Sequence, residues 1–201
     1  MQLSKTAYYG DFGVYVVLVG GITLTAAMLD DWASFRQWLE ALVTGFGIWT
    51  LIEYVLHRFV LHGLPGFSAL HDRHHVSPRA LIGTPTWLSL GVLGMAIFLP
   101  TWRAFSLNIA SALTAGVALG FLWYGLVHHA IHHRRPRLVA SRLGVASQRH
   151  MRHHYASQPG NFGVTTQFWD HIFGTVLPQE RATRTGRAAR ALRELASERK
   201  S

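Results

Sequence analysis

The chain has 201 residues, of which 49% are hydrophobic and only 14% are charged. Soluble domains carry roughly 25% charged residues, so the composition argues against a soluble protein and favours a membrane protein. The chain contains no cysteine, which excludes a disulfide framework and thiolate metal sites. Its net charge of +9 is accompanied by no zinc-finger spacing, so we expect no nucleic-acid partner.

The first two apolar stretches form one predicted pair of membrane helices. Residues 12–29 carry no charge and approach the roughly 20 residues that a helix needs to cross a bilayer. Residues 38–56 are similar, with Glu40 and Glu53 near the two ends. These two stretches therefore predict a first membrane hairpin.

A second apolar pair lies within residues 84–127 and predicts another helical hairpin. We expect an interruption at residues 100–103, which leaves the first arm short for a full crossing. The predicted fold is therefore all-α and integral to the membrane, with about four transmembrane helices in two hairpins. We expect one domain over residues 1–201, with a core at 12–177 and a basic C-terminal tail at 178–201.

Ten of the 13 histidines fall into four groups with ligand-like spacing. The groups are His57 with His62; His71 with His74 and His75; His128 with His132; and His150 with His153 and His154. Two of the groups share the pattern H-x-x-H-H. A lone histidine on an apolar segment is most often a structural residue, but this many histidines in this arrangement predict metal ligands.

Helical spacing predicts how the groups present their rings. Residues at i, i+3 and i+4 share a helix face about 5–6 Å apart, so we expect each H-x-x-H-H group to aim three imidazoles at one point. His57 and His62 are turned away from each other on an ideal helix at ~100° per residue, so we expect the second helix to end or bend near His62. His129 and His133 are offset from the ligand face, and His171 has no histidine neighbour.

The number of candidate ligands indicates two metal ions. A structural zinc takes about four protein ligands and a catalytic zinc about three, so the set exceeds one site. Imidazole suits iron, zinc, copper and nickel, and ligand type alone does not choose among them. The Glu-x-x-His pairs of soluble di-iron bundles are absent from the sequence. An all-nitrogen pair of iron ions at the membrane surface is suited to activating dioxygen.

These motifs resemble the membrane fatty acid hydroxylase and sterol desaturase superfamily, and within it they look most like the fatty acid 2-hydroxylases. The resemblance covers roughly residues 50–177 and rests on HRFVLH, HDRHH, HHAIH and HMRHH, followed by NFGVT and WDHIFGT. It implies four membrane helices under a cytoplasmic helical cap that holds a histidine-rich dimetal site. It also implies hydroxylation of an unactivated C–H bond of a lipid acyl chain with dioxygen and two external electrons. The family's ligand pattern falls on His57, His62, His71, His74, His75, His128, His132, His150, His153 and His154.

The resemblance also implies cofactors and partners. The implied cofactor is a pair of iron ions, although zinc can occupy such sites in purified protein because nitrogen donors do not favour iron. The implied substrate is a membrane lipid. Only a short stretch precedes residue 12, so we expect electrons from a separate protein such as a b-type cytochrome, a ferredoxin or a reductase.

Basic residues set the expected orientation in the membrane. They flank one end of the two predicted hairpins, so the positive-inside rule predicts a multi-pass protein whose active site faces the cytoplasm. The basic tail at 178–201 is a candidate for contact with anionic lipids.

Further residues are candidates for roles around the metals. Glu53 lies one helical turn before His57 and is a candidate to accept a hydrogen bond from a ligand ring, as second-shell carboxylates do. Asp170 is a candidate to act likewise through His171, and a solvated or capping acid is the simpler role for each. Asp72 lies inside the second histidine group and is a further candidate. Candidates for the walls of a substrate channel are Trp87, Phe121, Trp123, Tyr124, Phe162, Phe168 and Trp169. Packing and interfacial anchoring are the simpler roles for each of these aromatic residues.

Three alternatives stay open at this point. Carotenoid or sterol hydroxylases and desaturases of the same histidine-box type are an alternative within the oxygenase class. A histidine-rich membrane protein that binds metal without catalysis belongs to another class, and it predicts labile ions and tolerance to the loss of one ligand. A zinc hydrolase needs a general base beside an open zinc position, and only Glu53 and Asp72 lie near any histidine group.

Overall fold

The computed structural model describes residues 2–26, 28, 29, 31–133 and 142–178. Within these ranges the regular elements are helices, and an isolated bridge joins Gln2 to Ile82. The predicted contact with anionic lipid falls on the basic tail at 178–201, of which all but the first residue lies outside the described residues.

Four helical stretches are long and apolar enough to cross a membrane, in the part of the chain that the structure describes. They are Lys5–Ala26, Trp32–Leu61, Thr86–Ala104 and Leu107–His133. In chain order the helices are α1 (Lys5–Ala26), α2 (Trp32–Val55), α3 (Phe67–Val76), α4 (Thr86–Val92), α5 (Leu99–Ala104), α6 (Leu107–His133), α7 (Arg142–Tyr155) and α8 (Phe168–Ile172), with π-helical turns at Leu56–Leu61 and Leu93–Phe98. The prediction of an all-α membrane protein with two hairpins is confirmed.

The second hairpin turns later than predicted. Pro100 continues the third membrane helix, and the chain turns at Phe105 and Ser106. Proline lacks an N–H and its ring crowds the carbonyl four residues earlier, so it normally interrupts a helix. Here the π-helical turn at Leu93–Phe98 widens the backbone just before Pro100, and the stretch reaches 19 residues. The predicted interruption at residues 100–103 is therefore wrong, and the arm is long enough to cross.

Helices α2 and α6 pack closely along a row of glycines. A Cβ atom at Gly45 would overlap the carbonyl of Leu113, and one at Gly120 would overlap the ring of Trp49. Gly116 approaches the backbone of α2 in the same way. Small residues let membrane helices approach closely, because packing replaces the hydrophobic effect as the driving force in lipid. This seam fixes the relative position of the two helix ends that carry histidines.

The ten clustered histidines lie at one end of the helix bundle. Helix α1 packs on α6 through Tyr15, whose ring centroid lies 4.8 Å from that of Phe121. At the beginning of α1, the Tyr8 hydroxyl lies 3.2 Å from Nδ1 of His129 near the end of α6. Helix α1 therefore begins where α2 and α6 end, and the short helices α3, α7 and α8 cover this same side.

Candidate metal centre

The ten histidines predicted as ligands meet in two clusters of five. Cluster A consists of His57, His62, His71, His75 and His153, and cluster B consists of His74, His128, His132, His150 and His154. Within each cluster, one nitrogen of each ring lies within 4.8 Å of the matching nitrogens of the other four. The clusters adjoin, because the rings of His75 and His154 stack across the boundary with centroids 4.2 Å apart.

In cluster A the Nε2 atoms face one another. His71 Nε2 lies 3.0 Å from His57 Nε2 and 3.1 Å from His75 Nε2. His62 Nε2 lies 3.1 Å from His153 Nε2. Ring nitrogens that converge in this way form an all-imidazole site of the kind that binds iron, zinc, copper or nickel.

Cluster B repeats this convergence. His150 Nε2 lies 2.9 Å from His132 Nε2 and 3.0 Å from His154 Nε2. The Nε2 atoms of His74 and His128 are buried, and neither has a hydrogen-bond partner among the described residues. A buried polar atom without a partner is costly, and a metal ion inside the cluster would satisfy both nitrogens. The donor set therefore fits two metal ions.

Each H-x-x-H-H group divides between the two clusters. His71 and His75 enter cluster A, whereas His74 enters cluster B. The group at 150–154 does the reverse, since its outer histidines enter cluster B and its middle one enters cluster A. At ~100° per residue, position i+4 lies about 40° to one side of position i and i+3 lies about 60° to the other, so a helix between two sites serves both. The prediction that each group aims three rings at one point is therefore wrong.

A π-helical turn accommodates the spacing between His57 and His62. The turn covers Leu56–Leu61, and the two rings stack with centroids 5.3 Å apart and planes at 26°. A π-helix joins residue i to i+5, so it brings such residues to one face, unlike an α-helix. The membrane helix ends near His62 as predicted, and the π-helical turn brings together two rings that an ideal α-helix would turn apart.

The cluster histidines outside the membrane helices are held neutral. Burial and, to a lesser extent, neighbouring histidines lower the pKa of His74 to about 4, of His153 to about 3 and of His154 to about 2. Burial and its neighbours also lower the pKa of His71. Neutral imidazole is the form that binds metal, so these rings are ready ligands near neutral pH.

Backbone carbonyls of the loop at residues 160–165 fix two rings of cluster A. Phe162 O lies 2.5 Å from Nδ1 of His57, and Gly160 O lies 2.9 Å from Nδ1 of His153. A carbonyl oxygen only accepts, so each Nδ1 carries the proton and each Nε2 turns its lone pair to the cluster. Sequence analysis missed this role because it is played by backbone atoms; the available signal was the NFGVT motif that follows the last histidine group.

Glu53 is buried, and its carboxylate binds this loop rather than a histidine ring. Its carboxylate accepts hydrogen bonds from the N–H groups of Val164 and Thr165 at 2.6 and 2.9 Å, and from the Thr165 hydroxyl at 2.5 Å. The expected hydrogen bond from a ligand ring to Glu53 is therefore wrong, since Nδ1 of His57 is satisfied by the carbonyl of Phe162. Glu53 acts on His57 through the loop between them.

Asp170 holds the same loop from the other side. Its fully buried carboxylate accepts from the N–H groups of Phe162 and Gly163 at 2.8 and 2.9 Å, and from the Thr175 hydroxyl at 2.7 Å. His171 is exposed and takes no part in these contacts. The expectation that Asp170 acts through His171 is therefore wrong, and its contact with the site also runs through the loop.

The remaining polar candidates lie outside both clusters. Asp72 is exposed on α3, and no hydrogen bond joins it to a cluster ring within the described residues. His129 contacts Tyr8 and stacks on His133, with ring centroids 4.4 Å apart and planes at 13°. His129 therefore takes part in the contact between α1 and α6.

Two of the seven channel candidates lie against the histidines. The ring of Phe162 lies 5.6 to 5.8 Å from three rings of cluster A, and Tyr124 stacks on His128 at 5.5 Å. Phe121 packs in the core, and Trp169 donates to the Thr50 hydroxyl at 2.9 Å. The exposed fraction is 72% for Trp87, 51% for Trp123 and 57% for Phe168. Phe162 and Tyr124 are thus the aromatic side chains placed to shape access to the clusters.

Comparison with known proteins identifies the family of this chain. The profile of the fatty acid hydroxylase family matches residues 42–175, a range that contains both clusters and the loop behind them. The chain belongs to the fatty acid hydroxylase family. The resemblance inferred from the histidine motifs is confirmed.

Several family members are similar over most of this chain. Fatty acid 2-hydroxylase of Rattus norvegicus is 30% identical across 88% of this chain and 54% of its own length. Dihydroceramide fatty acyl 2-hydroxylase FAH1 of Arabidopsis thaliana is 35% identical across 75% of this chain and 66% of its own length. The solved structure of full-length scs7p, in which only the hydroxylase domain is visible, superposes with a TM-score of 0.73 at 28% identity, covering 88% of this chain and 69% of that one. The chain spans about half the length of the rat relative and about two thirds of the plant one.

Proposed function

We propose that this chain is a membrane oxygenase that hydroxylates the acyl chain of a lipid. The observation that carries the proposal is the pair of adjoining five-histidine clusters at one end of the membrane helices. Membership of the fatty acid hydroxylase family supports the reaction class. The names of the rat and plant relatives support a fatty acyl substrate and a 2-hydroxylated product in preference to a carotenoid or a sterol.

Clusters A and B each hold one iron ion in this proposal, with the ten histidines as ligands. The bound pair would supply the oxidising chemistry that uses dioxygen and two external electrons to break an unactivated C–H bond. Zinc competes well for the same nitrogen donors, so zinc in purified protein is compatible with iron as the working metal.

The side chains around the clusters select what reaches them. Phe162 lies against cluster A and Tyr124 against cluster B. Aromatic walls admit a hydrocarbon chain and exclude water, which protects a reactive centre from side reactions. Because the clusters lie where α2 and α6 end, the acyl chain reaches them from the bilayer in this proposal.

The clusters face the cytoplasm in this proposal. The described basic residues on the histidine side include Lys5, Arg58, Arg73, Arg79, Arg149 and Arg152, whereas Arg36 and Arg103 lie on the other side. The positive-inside rule assigns the more basic side to the cytoplasm. The electron donor, a b-type cytochrome, a ferredoxin or a reductase, would dock on this side.

Lipid mass spectrometry under ¹⁸O₂ tests the proposal. Cells expressing the chain should accumulate acyl lipids with one labelled oxygen, and fragmentation should place it on the second carbon of the acyl chain. His153→Ala removes a cluster A ligand and should abolish the product. His133→Ala is the matched control, because His133 belongs to neither cluster and its loss should leave the product in place.

Other outcomes would replace this proposal. Acyl lipids that lack two hydrogens and carry no label would make the chain a desaturase. Labelled carotenoids or sterols would assign it to another branch of the superfamily. Product that persists in the His153→Ala variant would remove His153 from the ligand set. A metal-loaded protein that leaves the lipids unchanged beside an active electron donor would favour metal binding without catalysis.

A further inference from the structure

We infer that cluster A is the tighter of the two metal sites. The loop at residues 160–165 fixes its ligand rings, and the buried carboxylates of Glu53 and Asp170 hold this loop in place as a clamp. The inference rests on the metal ligation proposed above. It gives Glu53, Thr165 and Asp170 a positioning role, since they act on the ligands through the loop.

The loop prepares cluster A for a metal before the metal binds. The carbonyls of Phe162 and Gly160 accept from Nδ1 of His57 and His153, which selects the tautomer whose lone pair lies on Nε2. Both Nε2 atoms already face other cluster A nitrogens at 3.0 and 3.1 Å. Loss of such a supporting partner typically weakens metal binding by about 10–100-fold.

The loop itself has little freedom to move. Glu53 and Asp170 are 3% and 0% exposed, and together they accept from four consecutive backbone N–H groups at residues 162–165. Gly163 lies so close to the carbonyl of Thr166 that a Cβ atom would overlap it. The directions of the supporting carbonyls are therefore fixed by buried contacts on both sides of the loop.

Two rings of cluster B lack the corresponding support. The Nδ1 atoms of His150 and His154 are buried, and neither has a hydrogen-bond partner among the described residues. A ring that binds metal through Nε2 must keep its proton on Nδ1, and a buried N–H without an acceptor opposes that tautomer. Metal binding at cluster B must therefore offset a cost that cluster A does not have.

Zinc release from the purified full chain tests the inference. The chain in detergent micelles is loaded with Zn²⁺, its zinc content is measured by mass spectrometry, and release to a coloured chelator in excess is followed with time. We expect two phases of equal amplitude. His154→Ala should abolish the fast phase, because His154 belongs to cluster B. The matched variant is His153→Ala, which should abolish the slow phase because His153 belongs to cluster A.

Thr165→Val isolates the role of the clamp. It keeps the shape of the side chain and removes the hydroxyl that donates to Glu53. The slow phase should accelerate by ~10–100-fold and the fast phase should keep its rate. Asp170→Asn should act in the same direction. The neighbouring Thr166→Val is the control, because the Thr166 hydroxyl contacts the N–H of Phe168 and not Glu53, and both phases should keep their rates.

The outcomes separate this inference from the proposed function. Two zinc ions that leave in one phase, or a slow phase that disappears in the His154→Ala variant, would overturn the ranking of the sites. Equal acceleration of both phases by Thr165→Val, with a lower melting temperature, would reduce the clamp to a general structural role. Wild-type protein that binds fewer than two zinc ions would contradict the proposed dimetal site instead.

Discussion

A histidine must be neutral to bind a metal ion, and in this protein burial controls that state residue by residue. His154 is only 8% exposed and His153 only 5%. The pKa of His154 is lowered to about 2 and that of His153 to about 3, chiefly by burial and in smaller part by nearby histidines, because two positive rings would repel. In the unfolded chain the same rings titrate near the ordinary value of about 6.5. Folding therefore excludes protons that the unfolded chain accepts.

This difference predicts a loss of stability in acid for the metal-free protein. Below about pH 6.5 the unfolded chain binds protons that the folded rings do not bind. The contribution of these rings to the free energy of unfolding is therefore fully present above that pH and falls as the pH drops toward 3. Each ring that differs in protonation should remove about 1.4 kcal/mol from the free energy of unfolding per pH unit. Thermal unfolding of chelator-treated protein in detergent, between pH 7.5 and pH 4.5, measures the slope.

Matched variants identify the rings responsible for the slope. His154→Asn should reduce it, because the variant removes a buried titrating ring. His133→Asn, at an exposed histidine outside both clusters, should leave it unchanged. A melting temperature that stays constant over this pH range in the metal-free wild type would contradict the assignment of neutral, buried rings.

At the scale of helices, the clusters depend on how closely α2 and α6 approach. Each helix ends in a histidine pair, so separation of the helices would move one pair relative to the other. Gly45 lies in the contact and Gly47 faces open space two residues later. The chain therefore supplies its own comparison for the effect of a single methyl group.

Gly45→Ala should destabilise the protein and Gly47→Ala should not. The methyl group at position 45 would overlap the backbone carbonyl of Leu113, which cannot move aside as a flexible side chain could. Overpacking of this kind typically costs about 1–3 kcal/mol. Melting temperatures in the same detergent compare the two variants, and zinc content reports on the clusters. Equal melting temperatures would show that the seam tolerates a wider separation.

The sequence predicted the helices well because long apolar runs carry a strong signal. It predicted a departure from ideal helix geometry near His62 but not its form, a π-helical turn, because periodicity assumes a fixed angle per residue. A π-helical turn also allowed Pro100 to continue a helix. The division of each H-x-x-H-H group between clusters also escaped prediction, since spacing gives the faces of one helix but not how many sites surround it. The supporting carbonyls escaped because sequence motifs describe side chains.

At the scale of the whole molecule, the two clusters are built to the same plan. Each takes a pair of histidines from the end of a membrane helix, a pair from one short helix and a single ring from the other. Four membrane crossings return the chain to the histidine side, so residues from distant parts of the sequence meet there. This topology ties the position of the two clusters to the orientation of the whole protein in the membrane.

Cysteine labelling should place the histidine side in the cytoplasm. The chain contains no cysteine, so each introduced thiol is the only target. Ser157 is exposed beside cluster A's loop, and Ser106 is exposed at the turn between α5 and α6 on the opposite side. In intact cells a membrane-impermeant maleimide should label Ser106→Cys at once and Ser157→Cys only after permeabilisation. The reverse result would overturn the cytoplasmic orientation and move the electron donor to the other side. Both clusters would keep their geometry, because their internal contacts do not depend on which side of the bilayer they face.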